Sequence, residues 1–114
     1  MAIVKPHRDV PAEAVADSGA KATFIRWLIS KREGAPNFAM RLFEVEPGGY
    51  TPFHDHPWEH EVFVLEGKGK LVLENEEIPF EKEYFIFVPP GEKHQFKNTG
   101  DSTLRFLCII PLKD

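Results

Sequence analysis

The chain has 114 residues and a formal net charge of −4, with 42% hydrophobic and 28% charged residues. That length sets one domain, residues 1–114, able to bury roughly two-thirds of its unfolded surface, and the acidic balance without a basic stripe excludes a nucleic-acid partner. A single cysteine, Cys108, excludes an intrachain disulfide, and no apolar run suits a signal peptide or membrane span, so no membrane partner and a cytoplasmic location are expected.

Residues 11–19 are small and Ala-rich, with room for one helical turn but too short for a stable helix alone. Residues 23–29 and 37–45 are rich in aromatic and branched side chains and read as strands. Gly34-Ala35-Pro36-Asn37 marks the turn between them, and Pro47-Gly48-Gly49 closes the second run. Further strands are expected over 61–66, 70–74, 84–88, 95–98 and 104–110, separated by turn clusters such as Gly67-Lys68-Gly69 and Asn75-Glu76-Glu77. Eight to ten short strands can close an all-β barrel and hide its edges. Ten Phe and two Trp beside two Met point to a rigid aromatic interior.

Four of the five histidines form a spaced pattern. His54-Asp55-His56 is a His-x-His pair, and on a strand such residues share a face roughly 6.5 Å apart. His60 follows a bend at Pro57-Trp58-Glu59, and His94 follows the Pro89-Pro90-Gly91 turn. Imidazole suits divalent Zn, Cu, Fe, Ni and Mn. Ligation needs the neutral ring, so metal binding is expected to weaken as pH falls towards about 6.

The spacing resembles the two cupin motifs. Motif one spans residues 48–67: Gly48, five residues, His54-Asp55-His56, three residues, His60, six residues, Gly67. Motif two spans residues 83–98: Glu83, five residues, Pro89-Pro90-Gly91, two residues, His94, three residues, Asn98. Two departures stand out. Glu83 replaces a motif glycine in a turn, and His60 holds the motif's glutamate position. Glu61 offers a rival alignment, but only His60 keeps six residues before Gly67, and on a strand the two face opposite ways. The run from His54 to Leu65 is similar to that of the small four-histidine manganese cupins.

That resemblance implies a single-domain jelly-roll barrel, the double-stranded β-helix, and a homodimer. It also implies one divalent metal on His54, His56, His60 and His94, with Mn(II) preferred and Fe(II), Zn(II), Ni(II) or Cu(II) as alternatives. Four neutral ligands leave the full +2 charge on the ion, which favours anions and acidic water in its open positions. The expected function is a metal-dependent oxidoreductase, dioxygenase-like or peroxide-using, acting on a small organic molecule. A non-catalytic binding or sensing cupin and a metal-dependent isomerase or lyase are the alternatives; no basic phosphate cradle lies near the motifs.

Around the metal, the expected pocket comprises Phe106, Cys108, Arg41 and Trp58. Leu104, Phe106, Cys108 and Ile110 share one face by alternation. Cys108 is read either as a small buried hydrophobe or as a thiol lining the pocket. Arg41 either enters the barrel to meet an anionic substrate or lies solvated outside. Trp58 shields the mouth or packs its loop. Glu59 and Glu61 are solvated or orient ligands from behind, Asn98 caps a turn, and His7 is an ordinary exposed residue.

Overall fold

A computed structural model describes residues 1–112. Nine strands follow in order: β1 (Glu13–Ala14), β2 (Lys21–Ile29), β3 (Phe38–Tyr50), β4 (His60–Glu66), β5 (Lys68–Val72), β6 (Glu77–Glu81), β7 (Phe85–Val88), β8 (Gln95–Asn98) and β9 (Leu104–Pro111). The strands pair antiparallel in the order β6-β5-β8-β3-β9-β4-β7, with β2 added to β3 and β1 to β2. The sheet curls so that one face encloses the core. This is the all-β architecture expected.

Alternation decides which side chains face inward. On β9, Leu104, Phe106 and Cys108 are buried, and on β4 so are His60, Val62 and Val64. The register aligns these positions across strands: Trp27, Arg41 and Cys108 form one row over β2, β3 and β9, and Ile25, Phe43 and Phe106 the next. Val45, Leu71, Phe80, Val88 and Phe96 complete the core. Burying one such side chain is worth about 1.5–3 kcal/mol.

Three local expectations are corrected. Residues 11–19 carry no helical turn; β1 pairs Glu13 with Ile25 and Ala14 with Phe24. So short a segment satisfies more backbone groups on a free strand edge than in one helical turn. Pro47-Gly48-Gly49 does not end β3, which runs to Tyr50. A register shift between Lys21 and Thr23 of β2 absorbs these residues as a bulge. Strand β6 begins at the last residue of the expected turn Asn75-Glu76-Glu77 and continues through residues to which the sequence assigns no element, because Pro79 and alternating acidic residues disguise it; β6 ends the sheet order, a position where proline is tolerated.

The aromatic interior is also only partly as expected. Phe80, Phe96 and Phe106 are buried, but Phe38, Phe53, Phe63, Phe85 and Phe87 are exposed. Glu83, in place of the motif glycine, adopts φ 72°, so it keeps the left-handed turn that glycine would make.

Candidate functional site

Backbone hydrogen bonds stitch the two motifs together before any side chain is considered. His54 and His94 exchange N–H···O bonds of 3.1 and 3.0 Å. The amide of Gly91 donates to the carbonyl of His56 at 2.7 Å, so the Pro89-Pro90-Gly91 turn anchors the middle histidine. His60 is the first residue of β4, facing inward. Residues as far apart in sequence as His54 and His94 are thereby held side by side.

The four imidazoles stand around one space. Ring centroids are 4.3 Å apart for His54 and His56, 4.7 Å for His60 and His94, 5.3 Å for His56 and His60, 5.6 Å for His54 and His94, and 6.5 Å for His56 and His94. Among the described residues, no three His, Cys, Asp or Glu side chains are drawn together as a formed metal cluster. His94 Nδ1 lies 2.9 Å from the carbonyl oxygen of Glu92. A carbonyl only accepts, so Nδ1 carries the proton and the lone pair of the neutral ring sits on Nε2. The Nδ1 of His60 is buried without a hydrogen-bond partner.

Burial is the leading cause that keeps these rings neutral. It lowers the pKa of His94, lowers that of His56 with help from neighbouring positive charge, and takes His60 to about 3. The Arg41 guanidinium adds to the depression at His56 and His60. Proton competition at these three rings is therefore shifted below the ordinary imidazole value used in the sequence reading.

The histidines open into a cavity of about 390 Å³. Arg41, Phe106 and Cys108 line it, as does His60, whereas Glu61 faces an outer groove with Phe63 and Phe85. Arg41 thus enters the barrel. Cys108 fulfils both of its readings, since it is 2% exposed, belongs to the core and borders the cavity. Burial pushes its thiol pKa up despite the nearby Arg41. Trp58 is not among the lining residues; it stacks on His56 at 4.5 Å with planes 7° apart, backing that ring. The neighbouring Glu61 carboxylate raises the Glu59 pKa. Asn98 donates to the carbonyls of Val45 and Ser102 and accepts from Gly100, each at 2.8 Å, so it caps its turn. His7 is exposed and outside the cavity wall.

Several wall residues escaped the sequence reading. Phe43 and Phe96 flank the histidines, Trp27 lies beside Arg41, and residues 13–17 form the rim. Phe43 shares the face of Arg41 by two-residue alternation, so it was recoverable once Arg41 was placed inside. Trp27 and the rim depend on strand register, which composition does not reveal.

Residues 41–110 match the family model described as "Cupin domain". The polyketide cyclase RemF from Streptomyces resistomycificus is 42% identical, with a TM-score of 0.93 over 99% of this chain and 81% of that one. A predicted oxalate decarboxylase from Thermotoga maritima is 25% identical, with a TM-score of 0.84 over 97% of this chain and 100% of that one. An uncharacterized protein of Methanocaldococcus jannaschii is 35% identical over 65 residues, 56% of this chain and 52% of that protein. The chain spans about half the length of the first curated relatives it matches.

Proposed function

The chain belongs to the cupin family, and from that premise we propose that it is a metal-dependent enzyme acting on a small organic molecule held in the barrel cavity. Convergence of four imidazoles on one end of a largely apolar cavity is the observation that carries this reading. Ring centroids 4.3 to 6.5 Å apart keep the four side chains close together at that end of the cavity. His54, His56, His60 and His94 would hold the metal, with Mn(II) as the proposed ion.

When bound, such an ion supplies a Lewis-acidic or redox-active centre with positions left for substrate or oxidant. The chain's own residues do the rest. Trp58 fixes the plane of His56, and the Glu92 carbonyl fixes the tautomer of His94. Phe43, Phe96 and Phe106 exclude water and grip an apolar body. Among the described residues, the cavity lining carries carboxylates only at its exposed rim, Glu13 and Asp17. No acidic side chain of the lining stands beside the rings to move a proton, and Asp55, whose charge reaches His56 and His94, lies outside the lining; this supports oxidation with dioxygen or peroxide.

A second reading is Lewis-acid ring closure, favoured by the 42% identity to a polyketide cyclase. Turnover assays on the manganese-, iron- and zinc-loaded protein separate the two, using small aromatic and poly-carbonyl substrates. Oxygen or peroxide consumption coupled to product is the expected result. Conversion under argon assigns the second reading, and a metabolite that co-purifies unchanged with no turnover for any metal overturns both in favour of a binding or sensing cupin. Elemental analysis of native-source protein tests the choice of metal. The single cysteine supports a reducing, cytoplasmic location. The exposed Phe63, Phe85 and Phe87 on β4 and β7 support a homodimer.

A further inference from the structure

Arg41 is a half-buried cation with no counter-charge among the described residues. Its side chain projects from β3 into the cavity, where Nη2 donates to Cys108 Sγ at 3.0 Å. A thiol is a weak acceptor, and burial keeps this one protonated, so it offsets none of the guanidinium charge. Nε of Arg41 is buried with no partner. Among the described residues, no carboxylate comes within ion-pair distance of Arg41, whereas Arg26 and Arg105 are both paired to Glu44. The guanidinium lies 5.0 Å from the Phe43 ring centroid and 5.5 Å from that of Trp27. Those faces hold the fork in place without consuming its N–H donors.

An unsatisfied buried donor costs about 1–3 kcal/mol, more when charged. Such a group persists where a ligand completes it. The planar guanidinium matches a carboxylate in a bidentate fork, and the surrounding walls are aromatic. We propose that Arg41 is an anion-binding subsite, and that the substrate of this cavity is a small organic acid with a flat apolar body. The acid group sits on the Arg41 fork, the ring lies among Phe43, Phe96 and Phe106, and the remaining end points to the histidines. This deepens the enzymatic reading and rests on the cavity being its substrate site, but the subsite itself does not need a bound metal.

The test compares 2-naphthoate with its neutral isostere 2-naphthamide, by calorimetry, on metal-free and manganese-loaded protein. The expected result is at least a tenfold preference for the acid in both forms. Arg41→Gln abolishes that preference in a variant that still folds and binds manganese at least as tightly as wild type, since a positive charge is removed near His56 and His60; Arg41→Lys retains charge but not the fork and keeps only part of it. A crystal structure of wild-type protein with 2-naphthoate is read independently of any variant, with the carboxylate expected on Arg41. Equal binding of acid and amide, a preference that survives Arg41→Gln, or a carboxylate seated elsewhere overturns the proposal. A preference seen only with manganese present assigns the anion to the metal, overturning the Arg41 subsite while leaving the metal reading intact. Failure to bind manganese with the preference preserved does the reverse.

Discussion

At the scale of single residues, the site depends on which of two neighbours on β4 faces inward. His60 is 5% exposed and borders the cavity; Glu61 lies on the opposite face. Replacing His60 with Ala is expected to weaken manganese binding by at least about 100-fold, the upper part of the range seen when ligand spheres are disturbed. Glu61→Ala is expected to stay within about threefold. Manganese titration of both variants checks this, and the reverse ranking would move the ligand to Glu61. The same ring makes the metal-free protein acid-sensitive. Its native pKa is lowered to about 3 from the 6.5 of an ordinary imidazole, so unfolding takes up a proton anywhere between those values. This contribution is complete above pH 6.5 and is lost as pH falls towards 3, with a slope of at most ~1.4 kcal/mol per pH unit from this group. Glu44 is held below the usual carboxylate range because its bonds to Arg105 and Arg26 outweigh the opposing effect of burial, so its own loss enters only at lower pH. Melts of metal-free protein between pH 6.5 and 4.5 should thus show falling stability that His60→Leu makes shallower, with His56 and His94 supplying the remaining slope.

At the scale of elements, turns decide whether the strands meet in register. Gly67, between β4 and β5, has φ 88°, and a Cβ there would lie 2.9 Å from Leu104 Cα. Gly67→Ala is expected to cost at least about 1–2 kcal/mol, since strain and clash add. Glu83 has the same sign of φ. Glu83→Gly relieves that strain against the entropy glycine brings to the unfolded chain, for a net gain of up to about 1 kcal/mol. Thermal melts of the two variants should move in opposite directions, by a few degrees each for a chain of this size. Both positions were legible in the motif spacing. The β3 bulge and strand β6 were not, because proline and glycine inside a strand read locally as a turn, and only the partner strand shows that pairing continues around them.

At the scale of the whole molecule, the outer face of β4 and β7 is unusually apolar. Phe63, Leu65, Phe85 and Phe87 are all exposed, and β7 ends the sheet order. Contiguous patches of this kind mark interaction surfaces. Sedimentation should give twice the 13.1 kDa mass of one chain, and Phe85→Asp with Phe87→Asp should give a monomer that keeps its manganese affinity. A wild-type monomer at micromolar concentration would remove the homodimer from the proposal.

The one-dimensional order of residues determined the all-β class, the inward face of β9 and the histidine set of the candidate site. Each rests on local rules: the two-residue alternation of a strand, the turn preference of Gly and Pro, and a spacing that leaves His60 in motif register. The tertiary structure alone decided that His54 and His94 exchange backbone bonds, that Arg41 meets Cys108 and Trp27 across three strands, and that five phenylalanines face solvent. Those outcomes depend on register and on the curl of the sheet. Both are set by the summed packing of the whole core, to which no short stretch of sequence holds the answer by itself.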